Sequence, residues 1–211
     1  MKKLRRILLA GNAAWLATSV LPAWSAPPYA ATKSRVANRG RPPDNFLREL
    51  VDWGRAAKDE IFAVNSVADV YASLKPQLGP YRDLPHRRAV MLEVLRVHAG
   101  FESSWNWDAG VHESKPEPNT ERTEEAGAFQ CSCNSLGLGA DLRTLFAARS
   151  PGDTSCRAFI RVSKQEHVFA MEYNARLLRH TLQHHGPLKR REVNAWVRRD
   201  AVAEFEKLLA G

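Results

Sequence analysis

The sequence predicts a mainly α domain (α+β) with at most a small β element, and three observations lead there. Apolar residues recur at helical spacing over nearly all of the chain from Asp44 onward. Helix-start signals stand along the same stretch: Asp44, Ser66, Asp83 followed by Pro85, and the pair Ser163 and Glu166. Alternation of the strand type never lasts more than a few residues, and no internal repeat is present.

The elements follow in order. Asp44 opens a first helix that turns Phe46, Leu47, Leu50, Val51 and Trp53 inward. Ser66 is expected to cap a second helix running through Val67, Val70, Tyr71 and Leu74 and ending before Pro76. The third starts at Asp83, with Pro85 in the first turn, where its missing amide donor costs nothing. Met91, Leu95, His98 and Glu102 form one stripe on it, Val90, Val94, Val97 and Phe101 flank that stripe, and Arg87, Glu93 and Arg96 are expected on the outer side. A polar loop (108–125), the compact segment GAFQCSCNS and a short helix around Ala140–Ala148 come next. Ser163 and Glu166 read as a capping box at the head of a long helix ending near Gly186, and a last helix runs from about Val193 to Leu209.

Ahead of this body, residues 1–25 read as a secretory signal peptide. Lys2, Lys3, Arg5 and Arg6 precede an apolar stretch, and Ala23 and Ser25 supply the small residues for cleavage after Ser25. Gly11, Asn12 and Pro22 interrupt the stretch, so a stable membrane span is not expected after processing. Arg5-Arg6 leaves both the general and the twin-arginine export routes open. Residues 26–43, rich in Pro, Ala and basic residues, are expected to be a disordered basic tail, which leaves 44–211 as one domain.

Charge and composition exclude several classes. With 44% apolar and 26% charged residues the chain is globular, neither disordered nor collagenous. The net charge of +8 resides entirely in residues 1–43; from Asp44 onward 23 basic residues meet 23 acidic ones. A polyanion-binding domain concentrates positive charge on its folded face, so nucleic acid is not expected as a partner. The expected protein is a periplasmic or secreted monomer. Cys156 is expected to pair with Cys131 or Cys133, since cysteines separated by one residue rarely reach disulfide geometry. Such a bridge is worth roughly 3 kcal/mol in the chain-entropy picture and leaves one thiol free. The cysteines lack a fourth zinc ligand at a usual spacing, and His180, His184 and His185, though clustered on the expected helix, stand where the helix dipole favours histidine anyway. No metal and no cofactor are expected.

Chemistry first shows at Glu102. A carboxylate on the core side of a helix, at the helix C-terminus, is disfavoured in its charged form by burial and by the dipole. Both effects raise its pKa toward the range of a general acid. The alternative is a structural Glu paired with Arg or bonded to Ser103 and Ser104. Trp105 and Trp107 follow at once, as flat surfaces of the kind that stack on sugar rings or as core residues. His98, one turn earlier, is a core residue or a hydrogen-bonding support for the site.

A long apolar helix ending in Glu-Ser, then a loop, then Gly-x-x-Gln resembles the lysozyme-like soluble lytic transglycosylases and goose-type lysozymes. The counterparts are Glu102-Ser103-Ser104-Trp105 and Gly127-Ala128-Phe129-Gln130, and the resemblance spans residues from about 85 to 186. It implies a lysozyme-like helical domain with a small β element beside the cleft, and peptidoglycan glycan strands as the partner. Glu102 would be the catalytic acid/base and Ser103 would orient it or bind substrate. Gly127, Phe129 and Gln130 would form the cleft wall, and Trp105 and Tyr173 would contact substrate, Tyr173 having a core role as its alternative. The family's Leu-Met is replaced here by Ala128-Phe129, and Tyr173-Asn174-Ala175-Arg176 lacks the glycine of the family's late motif.

A lytic transglycosylase needs one carboxyl group for both proton steps, whereas a hydrolase positions water with a second. The loop between the motifs offers Asp108, Glu113, Glu117, Glu121, Glu124 and Glu125, of which Glu125 abuts the wall. The transglycosylase is the expected activity, with a muramidase using such a second acid, or a non-catalytic glycan-binding module, as alternatives.

Overall fold

The computed structural model describes residues 29–65, 69–110 and 120–211. The expected leader (1–25), the Ser66 cap with Val67, and Glu113 and Glu117 lie outside the described residues.

Everything is arranged around helix α3 (Leu84–Ser103), which is buried continuously from Ala89 to Gly100. Asp83 caps it by accepting from the His86 amide at 2.8 Å, with Pro85 in the first turn as expected. Helices α1 (Asp44–Ala56), α6 (His167–His180), α7 (Gly186–Lys189) and α8 (Arg199–Ala210) pack directly against it. Helices α4 (Ala140–Arg149) and α5 (Cys156–Gln165) lie on α6, and α2 (Val70–Leu78) is tied to α3 by the Tyr71 hydroxyl, which donates to the Arg87 carbonyl. The β element is a hairpin of β1 (Glu125–Ala126) and β2 (Cys131–Ser132), antiparallel, with Glu125 opposite Ser132 and Ala126 opposite Cys131. The chain is thus mainly helical with a small β element.

Several local expectations give way to packing. The second helix takes its cap from Asp69, whose carboxylate accepts from the Tyr71 and Ala72 amides, and it continues past Pro76 because buried Leu74 and Leu78 hold its last turn in the core. Ser163 and Glu166 do not form a capping box: Ser163 is buried within α5, which is capped by Ser155, and the chain breaks at Glu166. The break lets Phe159 of α5 meet Phe169 and Tyr173 of α6 edge-on, at 6.1 and 5.1 Å between ring centroids, which one straight helix could not do. The helix α6 ends at His180, not near Gly186, and the last helix begins at Arg199 after a separate 3-10 turn at Glu192–Ala195.

The largest correction concerns the expected disordered tail. From Tyr29 the segment packs on the body: Thr32 and Val36 are fully buried, and the Ala30 and Thr32 amides donate to the Glu204 carboxylate of α8 at 2.7 and 2.6 Å. Its basic residues also find partners, Lys33 pairing with Asp44. Composition predicts disorder from the lack of periodicity, but an irregular strap needs only a few buried side chains, here Thr32, Val36 and Pro42, and satisfied backbone groups.

Cys156 pairs with Cys133, at 5.3 Å between α-carbons, across 23 residues, and Cys131 stays free and buried. The bridge fastens the hairpin side of the molecule to α5, and a loop of this length is worth about 3 kcal/mol. Among the described residues no helix is long and apolar enough to cross a membrane.

Arg96 and Glu93, expected on the outer side of α3, are fully buried together with the largely buried Arg87. The Arg96 guanidinium donates to both Glu93 carboxylate oxygens at 2.7 Å and to the Ser34 carbonyl at 3.0 Å. Glu93 also accepts from the Arg198 amide at the entrance to α8, at 2.9 Å. Removing one partner of a buried pair strands the other charge, so Arg96→Met is expected to lower the unfolding free energy by about 3–5 kcal/mol in a urea titration.

Candidate active site

The end of α3 is shaped by a fold-back. The Ser104 amide donates to the Gly100 carbonyl and the Trp105 amide to that of Ala99, each at 3.1 Å, with Ser104 and Trp105 both left-handed at φ 56° and 62°. Trp105 then lies over Gly100, where a Cβ would come 2.7 Å from the indole ring, and its Nε1 donates to the Arg96 carbonyl at 2.8 Å. Trp105 is therefore buried and presents no face to a sugar, which corrects its assignment to substrate. Trp107 is buried as well, stacked on His167 at 4.0 Å between ring centroids.

Gly127, Ala128, Phe129 and Gln130 form the turn of the β1–β2 hairpin. Gly127 has φ +74° and sits so close to α5 that a Cβ would stand 2.4 Å from the Ser163 carbonyl oxygen, so this position excludes any side chain. Gln130 is spent inside the turn, its Nε2 donating to the Gly127 carbonyl at 2.8 Å. Phe129 is buried against Phe46, Trp107 and His98, forming part of the floor and offering no sugar platform. Ser103 ties the two motifs together: its hydroxyl donates to the Ala128 carbonyl at 2.8 Å and accepts from the Asn106 amide at 3.0 Å. These bonds hold the wall against α3. Tyr173 is buried in the core on α6; its hydroxyl bonds Ser135 at 2.7 Å, and it does not reach the site.

Glu102 is left partly open, with 17% of its side chain exposed. Burial, with the neighbouring negative charge of Glu125 added, pushes its carboxyl up to about 7, against the opposing pull of Arg190 and Arg39. Two imidazoles stand beside it: His98 Nδ1 lies 3.9 Å and His185 Nδ1 3.8 Å from the same carboxylate oxygen. Burial holds His98 down to about 3, with His184 contributing, and holds His185 well below the usual histidine range. Both rings are therefore neutral at physiological pH.

Of the residues singled out in the sequence, the structure brings Glu102, Ser103, Glu125 and the Gly127–Gln130 turn together, and it removes Trp105 and Tyr173 to the core. Helical spacing places His185 on a helix ending near Gly186 and so gives no sign that it faces Glu102. The Gly186-Pro187 pair that follows it is a helix-breaking signal that would have revealed the turn inward. His180 instead pairs with Asp141 at 2.8 Å, so the expected helical face of His180 and His184 is not formed.

No known protein family, curated protein or solved structure matches the chain.

A carboxyl group held up to about 7 costs stability as pH rises. The folded value lies above the unfolded one, so its contribution is fully present below about pH 4.5 and is lost as pH climbs through about 7, by about 3 kcal/mol in all. Glu102→Gln removes that dependence. In urea titrations with chelator present, the variant should gain on the wild type steadily from about pH 4.5 to 8, whereas parallel curves would mean that Glu102 is solvated.

Proposed function

We propose that the chain is an exported enzyme that cleaves peptidoglycan glycan strands at the MurNAc–GlcNAc bond, as a lytic transglycosylase with Glu102 as its single acid/base. The observation that carries this reading is the placement of Glu102: a carboxyl group on the last turn of a buried helix, beside a hairpin turn, with its pKa near neutrality. The Glu-Ser and Gly-x-x-Gln motifs meet across the Ser103 bond to Ala128, as two walls of one site must. A disulfide between Cys133 and Cys156 accords with an oxidising compartment such as the periplasm.

In this mechanism the protonated Glu102 gives its proton to the glycosidic oxygen as the bond to the anomeric carbon breaks. The resulting carboxylate takes the proton of the muramyl 6-hydroxyl as that oxygen closes on the same carbon, which restores the acid and leaves a 1,6-anhydro end. Burial serves both steps, since it brings the acid and its conjugate base close in energy near pH 7.

One observation favours a second reading. Glu125 stands near enough to raise the Glu102 pKa, so a hydrolase in which Glu125 positions water is the alternative. Asp108, Glu121 and Glu124 have weaker claims, Glu121 being paired with Arg157 on the surface.

Glu102→Gln is expected to reduce cleavage of purified peptidoglycan by roughly 10²–10⁴-fold while the protein stays folded. A folded variant with full activity overturns the assignment, and a wild-type chain that binds cell walls without clearing them makes it a binding module. Mass spectrometry separates the subclasses: anhydro ends mark a transglycosylase and reducing ends a hydrolase. Glu125→Gln should abolish activity in the hydrolase, but in the transglycosylase should only move the alkaline limb of the pH profile to lower pH, because a repelling charge is lost.

A further inference from the structure

Glycan cleavage by a single carboxyl group makes no use of the two histidines beside it. His98 is wholly buried on α3, and neither ring nitrogen has a hydrogen-bond partner among the described residues. Leaving a buried imidazole unpartnered is costly, and the His185 ring lies against it, at 4.2 Å between centroids. Their arrangement is not random with respect to Glu102. Both Nδ1 atoms approach one carboxylate oxygen, at 3.9 and 3.8 Å, and one ligand atom from each of the three residues lies within 4.8 Å of the others.

The far side of His185 is also organised. The Cys131 thiol donates to Asn174 Oδ1 at 3.6 Å, and its sulfur stands 3.9 Å from His185 Nε2. With the thiol hydrogen committed to Asn174, the sulfur is able to accept from Nε2–H, and that tautomer of His185 turns the Nδ1 lone pair toward Glu102. Metal-bound histidines are held this way, by a hydrogen bond from the ring nitrogen that does not ligate.

We propose that His98, Glu102 and His185 form a binding site for a divalent transition-metal ion of the zinc type, with two imidazole nitrogens, one carboxylate oxygen and an open coordination position. The donor set selects the ion: imidazole suits zinc and its neighbours, while magnesium and calcium call for oxygen ligands. Tetrahedral zinc with bonds of 2.0–2.1 Å places its ligand atoms roughly 3.4 Å apart, so loading draws each imidazole toward the carboxylate by about 0.5 Å and closes the histidine pair further. Glu102, the partly exposed member, is the entry side, and Glu125 adds negative charge there. The site differs from the His180, His184 and His185 face considered in the sequence, sharing only His185.

The inference does not rest on the glycan reading, although the two meet at Glu102. A bound ion takes the oxygen that would protonate the leaving group, so loading and cleavage exclude each other.

The test is a zinc titration of the full chain, without a histidine tag, against a chromophoric chelator, followed by the visible spectrum of the cobalt-loaded protein. One equivalent of zinc and the cobalt bands of a four- or five-coordinate site are expected. Glu102→Gln and His185→Gln should each weaken zinc binding by about 100-fold or more, while His180→Ala leaves it unchanged. Glu102→Gln preserves side-chain volume at a partly exposed position, so circular dichroism confirms its fold independently of metal. Absence of binding tighter than millimolar, binding indifferent to Glu102→Gln, or binding lost in His180→Ala overturns the proposal. The titration contains no glycan, so its failure leaves the glycan-cleavage reading standing, and an inert chain that binds zinc overturns that reading alone.

Discussion

Glu93 and Arg96 stand one turn apart on α3, closed off from solvent, and three other parts of the chain are fastened to them. The Arg96 guanidinium holds the N-terminal strap through Ser34, the Glu93 carboxylate holds the entrance to α8 through the Arg198 amide, and the Arg96 carbonyl receives the Trp105 indole. Burying an ion pair is expensive, and it is tolerated here because the guanidinium meets the carboxylate through two bonds while the remaining capacity is met by backbone. Its value lies in register: apolar side chains alone would let the strap and α8 slide along α3, whereas directional bonds fix where each one sits.

Glu102 depends on this anchor although it lies two turns away. Trp105 can reach the Arg96 carbonyl only if the chain doubles back after Ser103, and that reversal puts Ser104 and Trp105 in left-handed conformations. The reversal stops α3 at the point where Glu102 faces the hairpin turn, and Ser103 then fastens the turn to the helix. Gln130 is left-handed as well, so conformations that L-residues avoid stand on both sides of the carboxyl group. Such positions are sustained by rigid surroundings and gather at functional sites.

The same stretch of α3 carries two kinds of buried polar group. Around Glu93 and Arg96 every hydrogen-bonding atom is matched, which is the arrangement of a structural network. Around His98 both ring nitrogens are without partners among the described residues, and the neighbouring carboxyl group has its pKa raised to about 7. The contrast is one of stability against chemistry: polar groups left unsatisfied in the fold remain available to a proton, a substrate or an ion.

Legible in the sequence are the helical class, the start of α3 at Asp83 and Pro85, the stripe that carries Glu102 to the end of that helix, and the compact segment that becomes the hairpin turn. These rest on local rules of periodicity, capping and the backbone freedom of glycine, which neighbouring residues suffice to express. The tertiary structure decided what depends on partners distant in the chain. Arg96 is inward because Ser34 and Glu93 receive it, Trp105 is core because Gly100 leaves it room, and the strap from Tyr29 is ordered because Glu204 accepts its amides. Cys133, and not Cys131, meets Cys156 because the Cys131 thiol turns inward to Asn174 and His185 while Cys133 lies beside the start of α5. His185 joins Glu102 because the chain breaks after His180 and turns inward before Gly186, bringing together residues 83 positions apart. A periodic pattern records which face of a helix is apolar, but it does not record which distant group will satisfy a buried charge.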